Sequence, residues 1–266
     1  SMADTSILLE GLHFGEGPRW HDGRLWFSDF YAHAVKSVDE SGDVRIELEL
    51  DDQPSGLGWL PDGRLLVVAM KERAVKRLEP LGLVLHADIS HLTAHLCNDM
   101  VVDVDGSAWV GNFGFDLDAE LRIRGAEVIS DHPCTNLVRI DADGSVHLAA
   151  ADMHFPNGSV ITPDGSTLIV AETLASCLTA FTINADKSLS DRRIWAAVES
   201  VAPDGICLND NNEIWVANAL GCEVILVAEG GEVIARIETS QLCYACMLGG
   251  NDGKTLFAVT AASSAE

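Results

Sequence analysis

Apolar and polar positions along the chain fall into short strand-length runs set off by turn residues. GRLWFSD begins at Gly23, GRLLVVA at Gly63 and GSAWVGN at Gly106. GSTLIVAE follows from Gly165, NEIWVAN from Asn212 and GKTLFAVT from Gly253. Each run follows a turn dipeptide: Asp-Gly in five copies and Asn211-Asn212 in the sixth. Both dipeptides tolerate the positive φ that tight hairpin turns need. The residues after them alternate or run apolar, as half-buried or buried strands do. Trp26, Trp109 and Trp215 recur at equivalent places and read as core.

The turn residues are spaced by 40, 43, 59, 47 and 41 residues. A four-stranded propeller blade repeats every 40–45 or so. The long interval holds an insertion, and the polar stretch 115–133 is the candidate. A second strand-and-turn unit recurs within the copies, as at Ala34–Val38 before Ser41-Gly42 and Asn136–Ile140 before Asp143-Gly144. Helical periodicity is hard to find. The pattern predicts an all-β, six-bladed β-propeller as one domain over residues 1–266; a sandwich does not explain six similar copies. Little follows Thr260, so the segment at about 5–10, with Ser6–Leu9 as its strand, is expected to close the last blade.

Position 55 lies eight residues before Gly63, and positions 98, 157 and 204 lie eight before the next three turn residues. Position 16 lies seven before Gly23. These places begin the strand leading into each turn, which in a propeller lines the axis. Glu16, Ser55, Asn98, Asn157 and Asp204 therefore form a column at one mouth of the channel, and the sixth place falls near Ala245 or Cys246. All five carry oxygen. Asp-Gly or Ser-Gly pairs alone would be ordinary turns, but that leaves the constant offset and the Glu unexplained. Two carboxylates about 4 Å apart at an effective dielectric of 20 repel by roughly 4 kcal/mol, and a divalent cation reverses the sign. Oxygen-only donors suit Ca²⁺, Mg²⁺ or Mn²⁺, with Ca²⁺ tolerating irregular geometry best; Zn²⁺ or Fe²⁺ is accommodated where water completes the shell.

Composition narrows the partners. Hydrophobic residues at 47% and charged residues at 22% exclude wholesale disorder. Lys+Arg of 17 against Asp+Glu of 41 gives a net charge of −24, which disfavours nucleic acid and anionic membranes. No apolar run approaches the length of a membrane span, and no signal peptide is legible at the N-terminus. The seven cysteines are scattered and odd in number, not a disulfide framework. Cys243 and Cys246 have C-x-x-C spacing without a βαβ context, so they read as packing. A reduced, cytoplasmic protein is expected, as a monomer or weak homo-oligomer. The chain has no G-x-S-x-G elbow and no glycine-rich nucleotide motif, which argues against serine hydrolases and nucleotide cofactors.

The same residues resemble the SMP-30/gluconolactonase/luciferin-regenerating-enzyme-like family. Glu16-Gly17-Pro18-Arg19-Trp20 with Gly23–Asp29 is similar to its opening motif. Asn98-Asp99 with Asp103–Gly106, Phe155–Gly158 with Thr162–Gly165, and Ala202–Gly205 with Ile214–Asn218 follow in order. Gly249–Leu256 resembles the closing copy, so the likeness runs from about Leu12 to Thr260.

The resemblance implies a six-bladed, divalent-metal-dependent hydrolase, foremost a lactonase opening its ring with metal-activated water. It implies Glu16, Asn157 and Asp204 as metal ligands, Asp204 also as general base, and Asn98 with Asp99 as contacts to substrate or to a metal-bound water. Sugar-lactone members often carry an Arg two residues before the Asn-Asp pair; here that position is Leu96. With Met70, Phe113 and Phe115 as apolar rim candidates, a lactone or ester less polar than a sugar lactone is expected. His13 and His154, each three residues before a column residue, are candidate assistants. The alternatives are organophosphate or other ester hydrolysis, or a strictosidine-synthase-like condensation, on the same scaffold. The third class is a non-catalytic binding propeller with a structural metal.

Overall fold

The structure, a computed structural model, describes residues 5–12 and 14–262. It is an all-β propeller of antiparallel meanders. The first sheet is β1 (Gly15–His21), β2 (Arg24–Asp29), β3 (Ala34–Val38) and β4 (Val44–Glu49). The second is β5 (Pro54–Trp59), β6 (Leu65–Ala69), β7 (Ala74–Glu79) and β8 (Gly82–Asp88). The third is β9 (Cys97–Val102), β10 (Ala108–Asn112), β11 (Thr135–Ile140) and β12 (Val146–Met153). The fourth is β13 (Pro156–Ile161), β14 (Thr167–Glu172), β15 (Cys177–Ile183) and β16 (Leu189–Ala197). The fifth is β17 (Pro203–Leu208), β18 (Ile214–Asn218), β19 (Glu223–Val227) and β20 (Val233–Glu238). The sixth copy of the repeat forms only β21 (Leu242–Gly249) and β22 (Thr255–Ala261), where the pattern predicts a full blade.

The turns form for the reason their sequence suggests. Asp62, Asp105, Asp164 and Asp252 each accept a hydrogen bond from the backbone N–H two residues on, at 2.8–3.1 Å. That bond closes a local loop and competes with continued strand. The glycine that follows takes a positive φ, from 71° at Gly253 to 91° at Gly63; Asn212 adopts 56° in the fifth sheet. At Asp164 the Ser166 backbone N–H, with the Thr162 and Ser166 hydroxyls, holds the carboxyl down to about 2.

The core lies between sheet faces, with one apolar cluster at each junction around the ring. Leu57, Leu65 and Val67 meet Val35 and Leu48 between the first and second sheets. Larger clusters fill the next junctions, around Leu66, Met100 and Ile140, then Trp109 and Leu168, then Ile169 and Ile214. Cys207, Cys243 and Cys246 fill the junction of the fifth sheet with β21. The two-stranded sheet thus closes the circle, meeting the first sheet through Leu25, Phe27, Met247 and Phe257.

The strand expected from Ser6–Leu9 does not form. Residues 5–12 carry no strand; instead Leu8, Leu9 and Leu12 pack onto the last junction. Consecutive Leu8 and Leu9 both face that cluster, which the alternation of a strand forbids, and Gly11 at φ 78° turns the chain. The insertion 115–133 is not irregular throughout. It holds helices α1 (Leu117–Arg124) and α2 (Glu127–Ser130). Asp116 caps α1 by accepting from the Ala119 N–H, Arg122 and Arg124 sit in its last turn, and Gly125 ends it. Because α1 buries no side chain, it has no apolar stripe to read. No helix among the described residues is long and apolar enough to cross a membrane.

Candidate active site

The column is a backbone feature before it is a chemical one. The inner strands β1, β5, β9, β13 and β17 each carry a bulge of three residues against two near their starts. The last residues of β2, β6, β10, β14 and β18 pair with Gly15, Pro54, Cys97, Pro156 and Pro203. The next residues are Glu16, Ser55, Asn98, Asn157 and Asp204: the last four lie within the bulge, whereas Glu16 still pairs with Ser28 and its strand bulges just after it. A bulge interrupts the ladder and re-aims a side chain. The sixth inner strand is bulged at Tyr244, between Cys243 and Ala245, and carries no carboxylate or amide side chain there.

Glycine after the column residue lets neighbouring strands meet backbone to backbone. A Cβ on Gly17 would lie 2.6 Å from Ser55 O, one on Gly158 2.6 Å from Asp204 O, and one on Gly205 2.7 Å from Ala245 Cα. In the third sheet that place is Asp99, and the close approach moves to Gly111, whose Cβ would crowd Pro156 O and Asn98 Oδ1.

The site concentrates negative charge away from water. Burial pushes the Glu16 carboxyl well above its usual range, and Asp204 and then Asp99 add repulsion. Burial likewise raises Asp204, with Asp99 adding to it, while hydrogen bonds from the Asn157 side chain and the Gly205 backbone oppose. Glu16 keeps part of its surface open, whereas Asp204, Asn157, Asn98 and Asp99 are buried. Arg19 is the only cation touching this group among the described residues: its Nη2 donates to Asp99 Oδ1 at 3.2 Å and to Met100 O at 2.5 Å. Met100 N–H donates to the same Asp99 oxygen at 2.8 Å.

Several acceptors are left over. Asn98 Nδ2 donates to Pro156 O at 3.1 Å, yet its Oδ1 is buried without a partner, as is Ser55 Oγ. Asn157 Nδ2 reaches Thr173 Oγ1 at 3.3 Å, and that hydroxyl donates to Pro203 O at 2.7 Å. Among the described residues no three His, Cys, Asp or Glu side chains group to hold an ion by themselves. The donor set mixes carboxylates with amides. Surplus negative charge beside orphaned oxygens is the chemistry a hard divalent cation satisfies.

Five equivalent hydrogen bonds build the rim above the column. Phe30, Met70, Phe113, Thr173 and Ala219 donate from their backbone N–H to the carbonyls of Phe14, Gln53, Leu96, Phe155 and Ala202, at 2.7–3.1 Å. Met70 and Phe113 therefore both lie at the rim, as expected, but Met70 is buried in the core between the second and third sheets and presents no surface. Phe113 stays half-buried, its ring 4.5 Å from Phe155. Phe115, with Val128 of the insertion, packs on Phe155.

Of the histidine candidates, His13 lies outside the described residues. His154 is engaged with the insertion: His132 Nδ1–H donates to Val128 O at 2.7 Å, so its Nε2 accepts from His154 Nδ1–H at 2.9 Å. Cys134 Sγ is nearly equidistant from both ring nitrogens of His154, at 3.7 and 3.6 Å, and so is not aimed at either one. His95, three residues before Asn98, was findable by the same offset as His13 and His154; its ring stacks toward Phe113 at 6.2 Å.

The far mouth of the channel differs. Trp20, Trp59, Val102, Ile161, Leu208 and Leu248 surround a cavity of about 440 Å³ with Arg19 among its lining. His21 stacks on Trp59 at 3.8 Å between centroids.

A ring of antiparallel sheets whose inner strands carry bulges and oxygen-bearing side chains defines a propeller. The SMP-30/Gluconolactonase/LRE-like region matches residues 14–262, and the chain belongs to that family. A pentonolactonase of Haloferax volcanii is 24% identical over 275 residues, which cover 98% of this chain and 86% of that protein. The structure of a gluconolactonase from Xanthomonas campestris is similar with a TM-score of 0.75 at 26% identity, covering 94% of this chain and 83% of the other. Regucalcin from Agrobacterium tumefaciens, described as a calcium-binding protein, gives a TM-score of 0.79 at 21% identity, covering 98% and 86%.

Proposed function

We propose that the protein is a divalent-metal-dependent lactonase. The observation that carries this reading is the convergence of Glu16, Asp99 and Asp204 with Asn157 and the unpartnered Asn98 Oδ1 at one channel mouth. The names of the lactone-hydrolysing relatives support the reaction class, and the calcium-binding relative supports a hard cation, with Ca²⁺ preferred. Glu16, Asn157 and Asp204 would hold the ion. When bound, it supplies a Lewis acid that polarises the lactone carbonyl and acidifies water.

The remaining work falls to the chain. Asp204 takes a proton from the attacking water as the carbonyl carbon gains its new bond to oxygen, and gives it to the ring oxygen as the acyl–oxygen bond breaks, leaving a hydroxy acid. Asn98 orients the attacking water, accepting its O–H through the free Oδ1. Arg19 turns Asp99 toward itself and offsets one of three crowded charges. Leu96 at the rim provides no donor for sugar hydroxyls, which supports a substrate less polar than a sugar lactone. The insertion serves as a lid over this mouth, tied down by the His132–His154 bond and by Phe115 and Val128. The same reading makes β21–β22 the sixth blade of the ring and places the reduced protein, all seven thiols free, in the cytoplasm.

The test is turnover of a panel of simple lactones before and after chelation, with metal content measured in the same samples. Activity should vanish with the ion and return with added Ca²⁺ or another divalent cation. Full turnover by metal-free protein sinks the metal dependence. Turnover of phosphotriesters but no lactone moves the reaction class.

A further inference from the structure

We infer that two braced aromatic jaws at the rim select a lactone carrying an apolar, ring-sized substituent. Ten side chains occupy the five hydrogen-bonded rim pairs, and only Gln53 and Thr173 among them are polar. Thr173 has its hydroxyl committed to Pro203 O. The first jaw is Phe30 with Tyr31, both half-buried, their rings 4.5 Å apart. Buried Phe14 braces Phe30 at 5.9 Å, edge to face, and itself packs on Tyr244 at 4.8 Å. The second jaw is half-buried Phe113, braced by buried Phe155 and flanked by His95.

The bracing is costly, which is why it reads as built. Phe155 sits at φ 58°, a left-handed conformation that bulky side chains rarely adopt. Such strain persists where the surroundings hold it, and it gathers at ligand clamps. The Thr173 N–H to Phe155 O bond and the apolar contacts of Phe115, Val128 and Leu174 hold it here. Both jaws rise from the rim positions directly above Glu16 and Asn98, so a substrate with its carbonyl at the column extends its substituent between them. An aromatic or branched alkyl group gains contact there. Hydroxyls in the same place lose water and find few partners, since only Tyr31 and His95 among the jaw residues carry a polar group.

The inference rests on the lactonase reading for the reacting carbonyl, but recognition of the apolar group is measured separately. The kinetic experiment compares kcat/KM for phenyl-substituted γ-butyrolactone, unsubstituted γ-butyrolactone and a polyhydroxylated lactone. The wild-type protein should prefer the phenyl compound over the unsubstituted one by about tenfold or more, the scale of one well-filled apolar pocket. Phe113→Ala and Phe30→Ala should each narrow that ratio to within about threefold, and Phe113→Leu should restore part of it. A preference for the polyhydroxylated lactone, or a ratio unmoved by all three substitutions, overturns the inference.

The binding experiment uses 2-phenylcyclopentanone, which has the carbonyl but no ring oxygen to expel, titrated calorimetrically against wild type and Phe113→Ala. Binding that Phe113→Ala weakens about tenfold, in a protein that turns over no lactone, keeps the jaws and rejects the lactonase reading. No binding, or equal binding by both proteins, rejects the jaws whatever the turnover.

Discussion

The two mouths of the channel are made by the same inner strands, four residues apart. Glu16 and Trp20 share β1, Asn157 and Ile161 share β13, and Asp204 and Leu208 share β17. At one end neighbouring strands touch backbone to backbone, through glycines whose Cβ would strike Ser55 O or Asp204 O. At the other end they touch side chain to backbone, as where Gly58 faces Val102 and Gly249 faces Trp20. The bulge accounts for the difference. It breaks the ladder, lets glycine close the gap between blades, and leaves short oxygen-bearing side chains crowded on the axis. The unbulged end keeps regular pairing and room for indoles. Charge and seal are thus divided within single strands, and Arg19, bound to Asp99 and lining the far cavity, links the two ends.

The division can be broken most severely at Asp204. Asp204→Asn keeps one ligand oxygen and removes the base, so lactone turnover at saturating metal should fall by about 10²–10⁴-fold, the usual range for lost base catalysis. Occupancy measured in the same sample separates the roles. Near-normal turnover at full occupancy dismisses Asp204 as base and leaves Asp99, His13 or His154 to test.

A smaller effect is expected where the blades touch. Gly158→Ala places a methyl against Asp204 O at 2.6 Å and Ile206 N at 2.8 Å, both backbone atoms that cannot swing aside. Overpacking of this kind costs about 1–3 kcal/mol, which for a chain of this size lowers Tm by several degrees. An unchanged Tm in calorimetry would mean that the ring is looser than its glycines suggest.

The far mouth should show the least kinetic effect. Trp59→Ala removes a ring stacked on His21 and set edge to face with Trp26 at 5.4 Å. It should lower Tm while leaving kcat/KM for a simple lactone within about threefold, since partly buried large-to-small changes act mainly on stability. A larger kinetic loss would show that the two ends communicate, with Arg19 the first residue to examine.

The turns and the column were legible because both depend on local chemistry. Asp-Gly fixes a turn through its own carboxylate, and counting back from it finds Asn98, Asn157 and Asp204 without knowing the bulge. What depended on pairing between strands was hidden. The rim pairs join residues such as Phe30 and Phe14 only through the register of β2 on β1, so Met70 could not be told from Phe113 until burial separated them. Helix α1 was silent because it buries no side chain fully and so shows no apolar stripe. The segment around Leu8 and Leu9 looked strand-like in composition, yet both leucines answer to one cluster rather than to alternating faces.

The recurrence of one bulge in five strands has a consequence for how the ring can change. Four of the places are equivalent sockets within the bulge, holding Ser55, Asn98, Asn157 and Asp204, and Glu16 stands just before the bulge of its own strand. Their contents read as a circular word, and reordering that word alters where charge stands around the axis while the scaffold is conserved. An asymmetric substrate senses that order as a compass bearing. A shift in the direction of its approach therefore needs only an exchange of names between two sockets, with no new fold and no moved strand.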